Sequence, residues 1–175
     1  MLELAILGFL YDASLHGYEL RKRIAALTGH VKPVAEGSLY PAIKRLESAG
    51  LLARETRPGC GAAPRHVLSL TAHGRAELRH RLAEPADNDI TDENRWFTVL
   101  AFLRHLGEPE GQATVLERRL AFLQQPASFF YAGDRPLHAE EIEDPFRRGV
   151  LTIARATSRA ELAWLRETIG SLRGV

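Results

Sequence analysis

Cysteine is nearly missing from this 175-residue chain: Cys60 stands alone. A single thiol excludes an internal disulfide, and with it the disulfide-stapled folds of oxidising compartments. A reducing cytoplasm is the expected setting. Long apolar runs are missing too. None approaches the roughly 20 residues that cross a bilayer, so no membrane span is expected. No basic segment followed by an apolar stretch and a cleavage site opens the chain, so no secretory leader is expected. Catalytic signatures are equally scarce. There is no G-x-S-x-G, no phosphate loop, no H-E-x-x-H and no close Cys–His arrangement, and an enzyme is not expected. The seven histidines are dispersed. His138 and Glu141 have a helical i, i+3 spacing, but no cysteine or second close histidine joins them. No metal site and no cofactor are expected.

What is present is helical pattern and an uneven charge. The formal net charge is +1. Residues 1–83 hold 12 Lys/Arg against 7 Asp/Glu, a net of +5, and residues 84–175 hold 11 against 15, a net of −4. A basic half can meet a polyanion while the acidic half does other work.

Residues 2–10, LELAILGFL, are almost wholly apolar and predict a short buried helix, packed against the core or a partner chain. A second helix over 17–28 places Leu20, Ile24 and Leu27 on one face, ended by Gly29. A third runs through GSLYPAIKRLESAGLL, residues 37–52. Leu39, Ile43 and Leu46 share its apolar face. Ser38 is the expected N-cap, which would put Pro41 in the first turn, where a missing N–H costs little. Gly50 suits the left-handed residue that ends a helix. The opposite face carries Pro41, Lys44, Arg45 and Ser48, flanked by Ser38 and Tyr40, with no acid at its centre.

LLARETR and RHVLSLT each alternate and flank PGCGAAP, so they predict a β-hairpin with a long loop. Thr71 caps a helix over about 72–83. The polar piece AEPADND, with Pro85, is the expected domain boundary. Three more helices are expected over 91–106, 108–125 and 146–172. An irregular segment with Phe129, Phe130 and Tyr131 lies between the last two.

Three helices and a hairpin within about 70 residues make a winged helix-turn-helix. Its third helix suits a major groove, and its hairpin reaches the backbone alongside. The expected fold is mainly α, with a winged DNA-binding domain over 1–83 and a helical dimerisation and effector domain over 84–175. GSLYPAIKRLESAGLL, HGYEL at 16–20 and PRHVLSLTAHG at 64–74 resemble the PadR family of bacterial transcriptional regulators. RAELAWLRETI at 159–169 is similar to the C-terminal helical domain of its longer members, which dimerises. The resemblance implies DNA contacts from Ser38, Leu39, Tyr40, Pro41 and Arg45, a backbone contact from Tyr18, and wing contacts from Pro64 and Arg65. Lys44 joins them from its place on the helix. The family's wing carries several basic residues before Pro-Arg; Ala62 and Ala63 stand there in this chain, with Arg57 opposite. Repression also follows from the resemblance.

The expected partners are double-stranded DNA with a roughly palindromic operator, a second copy of the chain, and a small-molecule effector. Trp96, Phe97, Phe129, Phe130, Tyr131 and Trp164 are the candidate effector walls, in a cavity at the domain junction or the dimer interface. For Trp96 and Trp164, plain packing is the competing reading. The dimer interface is expected from helices 2–10 and 146–172. Two alternatives stand beside this reading. One is a winged protein-interaction module that no longer binds DNA. The other is a redox-responsive regulator using Cys60.

Overall fold

A computed structural model describes residues 1–27, 36–57, 65–125 and 131–174. Cys60, Pro64, Phe129 and Phe130 lie outside the described residues, as does the expected helix end at Gly29. The chain divides into two compact units, Met1–Gly107 and Glu108–Val175.

The first unit opens with α1 (Leu2–Asp12), followed by β1 (Leu15–His16), α2 (Gly17–Leu27) and α3 (Glu36–Ser48). The wing follows as β2 (Leu52–Arg57) and β3 (Arg65–Leu70), then come α4 (Ala72–Ala83), α5 (Asp87–Thr91), α6 (Glu93–Phe102) and a 3-10 turn at Leu103–Leu106. The sheet is antiparallel with order β1-β3-β2. Leu52 pairs with Leu70 at one end of the hairpin and Arg57 with Arg65 at the other. The two-residue β1 was not expected from the sequence. It is too short to show an alternation, and it exists only because Leu15 and His16 find Leu68 and Val67.

The core explains the elements. Leu20 and Ile24 of α2, Leu39, Ile43 and Leu46 of α3, and Leu78 and Leu82 of α4 are buried, each set at helical spacing. The all-round apolarity of α1 has a direct cause. It packs against α2, α3, α4, β3 and α6. Leu4, Ile6, Leu7 and Leu10 are therefore buried within the isolated chain. Leu2 and Phe9 stay half-buried, so only a small part of α1 is left for the expected dimer surface. Gly8 is where α1 and α6 meet. A Cβ there would stand 2.4 Å from the Phe102 ring, and Phe9 meets the same ring edge-on at 5.0 Å between centroids.

The polar piece 83–89 was the expected break, yet α5, α6 and the 3-10 turn belong to the first unit, which ends at Gly107. Ile90, Trp96, Val99, Phe102 and Leu103 are buried there.

The start of α3 is a second correction. The helix begins at Glu36, so Ser38 lies inside it and is not the N-cap, and Pro41 stands beyond the first turn. Proline there leaves the Gly37 carbonyl without its helical donor. Gly37 and Pro41 are both exposed, so water can serve that carbonyl.

The end of α3 follows expectation. Gly50 takes a φ of +68°, and Leu51 N–H returns to the Leu46 carbonyl at 2.9 Å. The side chain of Thr71 accepts from Gly74 N–H at 2.9 Å and donates to the Gly50 carbonyl at 2.8 Å. One residue therefore caps α4 and ties it to the stop of α3.

His105 is buried behind this core, stacked on Tyr11 at 4.4 Å between centroids. Burial pushes its pKa below the ordinary 6.5, against the opposing pull of Asp12. A histidine lowered on folding takes up more protons when unfolded, so acid favours the unfolded state. Stability is expected to fall as pH drops below about 6.5, until the folded-state pKa is passed. Thermal melts should show that loss in wild type and a smaller one in His105→Gln.

The second unit holds α7 (Pro109–Leu123), a small hairpin of β4 (Tyr131–Ala132) and β5 (Arg135–Pro136), a 3-10 turn at Ala139–Glu141, and α8 (Pro145–Arg173). Arg173 reaches Glu110 and Glu117 while Arg119 reaches Glu161, so α7 and α8 run antiparallel. Buried Arg119 meets half-buried Glu161 in a forked pair, at 2.8 and 3.1 Å. Leu151, Leu165 and Ile169 are the buried residues of α8.

Candidate nucleic-acid interface

The amphipathic pattern of α3 sets the interface. Leu39, Ala42, Ile43 and Leu46 face the core. Gly37, Ser38, Tyr40, Pro41, Lys44, Arg45 and Ser48 are exposed. Leu39 is the exception among the expected contacts on this helix. It is 0% exposed, so its side chain is core and unavailable to DNA. Its i, i+4, i+7 spacing with Ile43 and Leu46 already pointed there.

Three features suit the exposed face to a polyanion. Lys44 lies near its centre and makes no ion pair among the described residues. Glu47, the acid in the last turn, is turned aside and held by Arg54 of β2 at 2.6 and 2.9 Å. Tyr40 lies at one edge, 54% exposed, and Tyr18 at the start of α2 is 77% exposed. A groove of about 360 Å³ lies between them, lined also by His16, Gly17, Arg54 and His66. The Thr56 hydroxyl and His66 Nδ1, directly opposite on the wing, are 3.2 Å apart. Sequence reasoning missed Arg54, His16 and His66 as neighbours of Tyr18 and Tyr40. The period-2 pattern of β2 could have found Arg54, since it shares a face with Leu52.

Arg45 is less free than its sequence position suggests. Its guanidinium is bound to Glu3 of α1 at 2.9 and 3.0 Å.

The profile of the transcriptional regulator PadR-like family matches residues 6–80. The match takes in α2, α3 and the wing, and stops within α4. An uncharacterised 37.1 kDa protein in transposon TN4556 of Streptomyces fradiae is 34% identical over 105 residues, 57% of this chain. The chain spans only 29% of that relative's length. Among solved structures, a transcriptional regulator from Clostridium thermocellum is similar at 25% identity, covering 45% of this chain and 76% of its own, with a TM-score of 0.42. Bacillus subtilis PadR in complex with operator DNA is similar at 21% identity, covering 98% of each chain, with a TM-score of 0.45.

The other expected site residues fall outside the matched residues 6–80, and the structure places them unevenly. Trp96 is fully buried in the core of the first unit. This corrects its expected role as an effector wall: the ring is closed off from solvent by its neighbours. Phe97 beside it is exposed, and Trp164 is exposed on α8 of the second unit. Tyr131 lines a cavity of about 830 Å³ within the second unit, together with Phe122, His138, Arg155, Arg159 and Leu162. Glu141 is committed elsewhere. Arg135 holds it at 2.8 and 3.1 Å and keeps its carboxyl below the usual range. No cluster that could hold a metal exists among the described residues, and no helix there is long and apolar enough to cross a membrane.

Proposed function

We propose that this protein is a sequence-specific, DNA-binding transcriptional regulator acting as a homodimer in the cytoplasm. The observation that carries the reading is the exposed face of α3, cationic at its centre and cleared of acid, beside a wing within a PadR-like domain. In this reading residues 1–83 bind DNA. Residues 84–175 supply dimer contacts and an effector site, although 84–107 also complete the core of the first unit. Two copies of α3 enter successive major grooves about 34 Å apart, so the operator is a rough palindrome. Tyr40 offers a hydroxyl to phosphate or a ring to a thymine methyl. Tyr18 offers a hydroxyl to the backbone. Ser38, Pro41, Pro64 and Arg65 complete the proposed contacts.

Repression is the proposed direction of control, relieved by a small effector. The second-unit cavity at Tyr131 is the proposed effector site, with two arginines and an aromatic wall. A ligand acts there only through unequal affinity for the DNA-bound and free states.

Fluorescence anisotropy with DNA from upstream of the coding sequence tests the reading. Lys44→Ala should weaken every duplex alike and flatten the salt slope by about one. Tyr40→Ala should add a further loss. A double variant that binds as tightly as wild type would place the interface elsewhere.

A further inference from the structure

Arg45 is one of the two cations on the exposed face of α3, and it is already engaged. Its Nε donates to Glu3 Oε1 at 3.0 Å and its terminal nitrogen does so at 2.9 Å. The other oxygen of Glu3 accepts from Arg81 of α4 at 3.4 Å. Arg81 in turn holds Glu77 at 2.7 Å. Two cations and two acids thus form one row with no net charge. Glu3 sits in the first turn of α1, where a carboxylate suits the helix dipole, and Arg45 sits in the last turn of α3 for the matching reason.

We infer that Glu3 is a built-in competitor for DNA: it holds the Arg45 guanidinium in the free protein, and a phosphate must displace it before Arg45 adds to affinity. The inference rests on the DNA-binding reading of α3. Both Arg45 nitrogens meet a single Glu3 oxygen, and a phosphate oxygen can take its place. The Arg45 side chain is 64% exposed, and ion pairs at that exposure are weak enough to trade. Glu3 itself remains after the exchange, so its charge opposes any phosphate drawn to Arg45. The carboxylate therefore holds down binding to DNA of any sequence while leaving the helix surface intact. Specific DNA overcomes it through contacts that mixed-sequence DNA cannot make.

The test uses the full chain and a labelled mixed-sequence duplex, read by anisotropy across a salt series. Glu3→Gln should raise affinity roughly 3- to 10-fold at moderate salt and steepen the salt slope by about one. Arg45→Gln alone should lower affinity, because it leaves the Glu3 carboxylate facing the duplex without its partner. Glu3→Gln combined with Arg45→Gln should show none of the gain. Circular dichroism checks the fold, and Glu3→Ser reads the same quantity should the glutamine variant unfold. If wild type binds the duplex and the Glu3 variants bind no tighter, the competitor role is wrong. It is equally wrong if the gain persists without Arg45. If wild type shows no salt-dependent binding at all, the DNA-binding reading itself falls, and this inference with it.

Discussion

Gly74→Ala should cost about 3 kcal/mol of folding stability or more, near the upper end for overpacking. The added Cβ would stand 2.1 Å from the Leu51 carbonyl oxygen and 3.0 Å from its carbon. Both are backbone atoms, so no side-chain rotation relieves the clash. The site is also the junction that ends α3, because Thr71 ties Gly50, Leu51 and Gly74 together there. A shift of that junction moves the last turn of α3, so DNA affinity should fall along with stability. Urea unfolding at fixed temperature measures the loss. Gly37→Ala is the control of opposite sign. Nothing lies within 4 Å of its Cβ position, and alanine inside a helix is favoured over glycine by roughly 0.5–1 kcal/mol. A Gly74→Ala protein as stable as wild type would show that the junction gives way more easily than its backbone contacts imply.

Ile153→Asp should convert the proposed dimer to a monomer at micromolar concentration. The reason lies in the spacing of α8. Phe146, Val150, Ile153, Thr157, Ala160 and Trp164 fall at intervals of four and three, so they form one stripe along a 29-residue helix. All six are exposed, Phe146 at 84% and Ile153 at 69%. Leu151, Leu165 and Ile169, on a neighbouring face, are buried in the second unit. Covering a Phe, Val or Ile is worth roughly 1.5–3 kcal/mol each, and a two-fold axis counts every residue twice. One aspartate near the middle of the stripe therefore enters the interface twice, each time as a desolvated charge. The dissociation constant should rise at least about 100-fold, as a few kcal/mol requires. Sedimentation velocity decides it: a wild-type monomer, or an Ile153→Asp dimer, removes α8 from the interface. DNA affinity should fall with the dimer, because two half-sites are then read independently.

Much of the candidate interface was legible before any fold was known. The two faces of α3 follow from a period of 3.6 residues, and the structure buries Leu39, Ile43 and Leu46 while exposing Tyr40, Lys44 and Arg45. The stop at Gly50, the Thr71 cap and the alternation of both wing strands are likewise local. Each depends on backbone geometry within a few residues, and sequence spacing encodes it directly. The start of α3 was less legible, because a plausible cap at Ser38 and a proline at 41 favoured a later start than the packed helix takes.

What only the tertiary structure decided are pairings between distant residues. Periodicity shows that a face is apolar, but never which element covers it. So α1 reads equally well as core or as dimer surface until Gly8 meets Phe102, 94 positions away. Packing of this kind groups α6 with the first unit, where Trp96 is buried. Charge behaves the same way. The sequence puts Arg45 on the outer face of a helix, and only the fold sets Glu3 beside it, 42 residues away in the chain. Local spacing determines what each surface can offer, whereas long-range packing chooses its partner, because many pairings share one pattern and chain closure admits few of them.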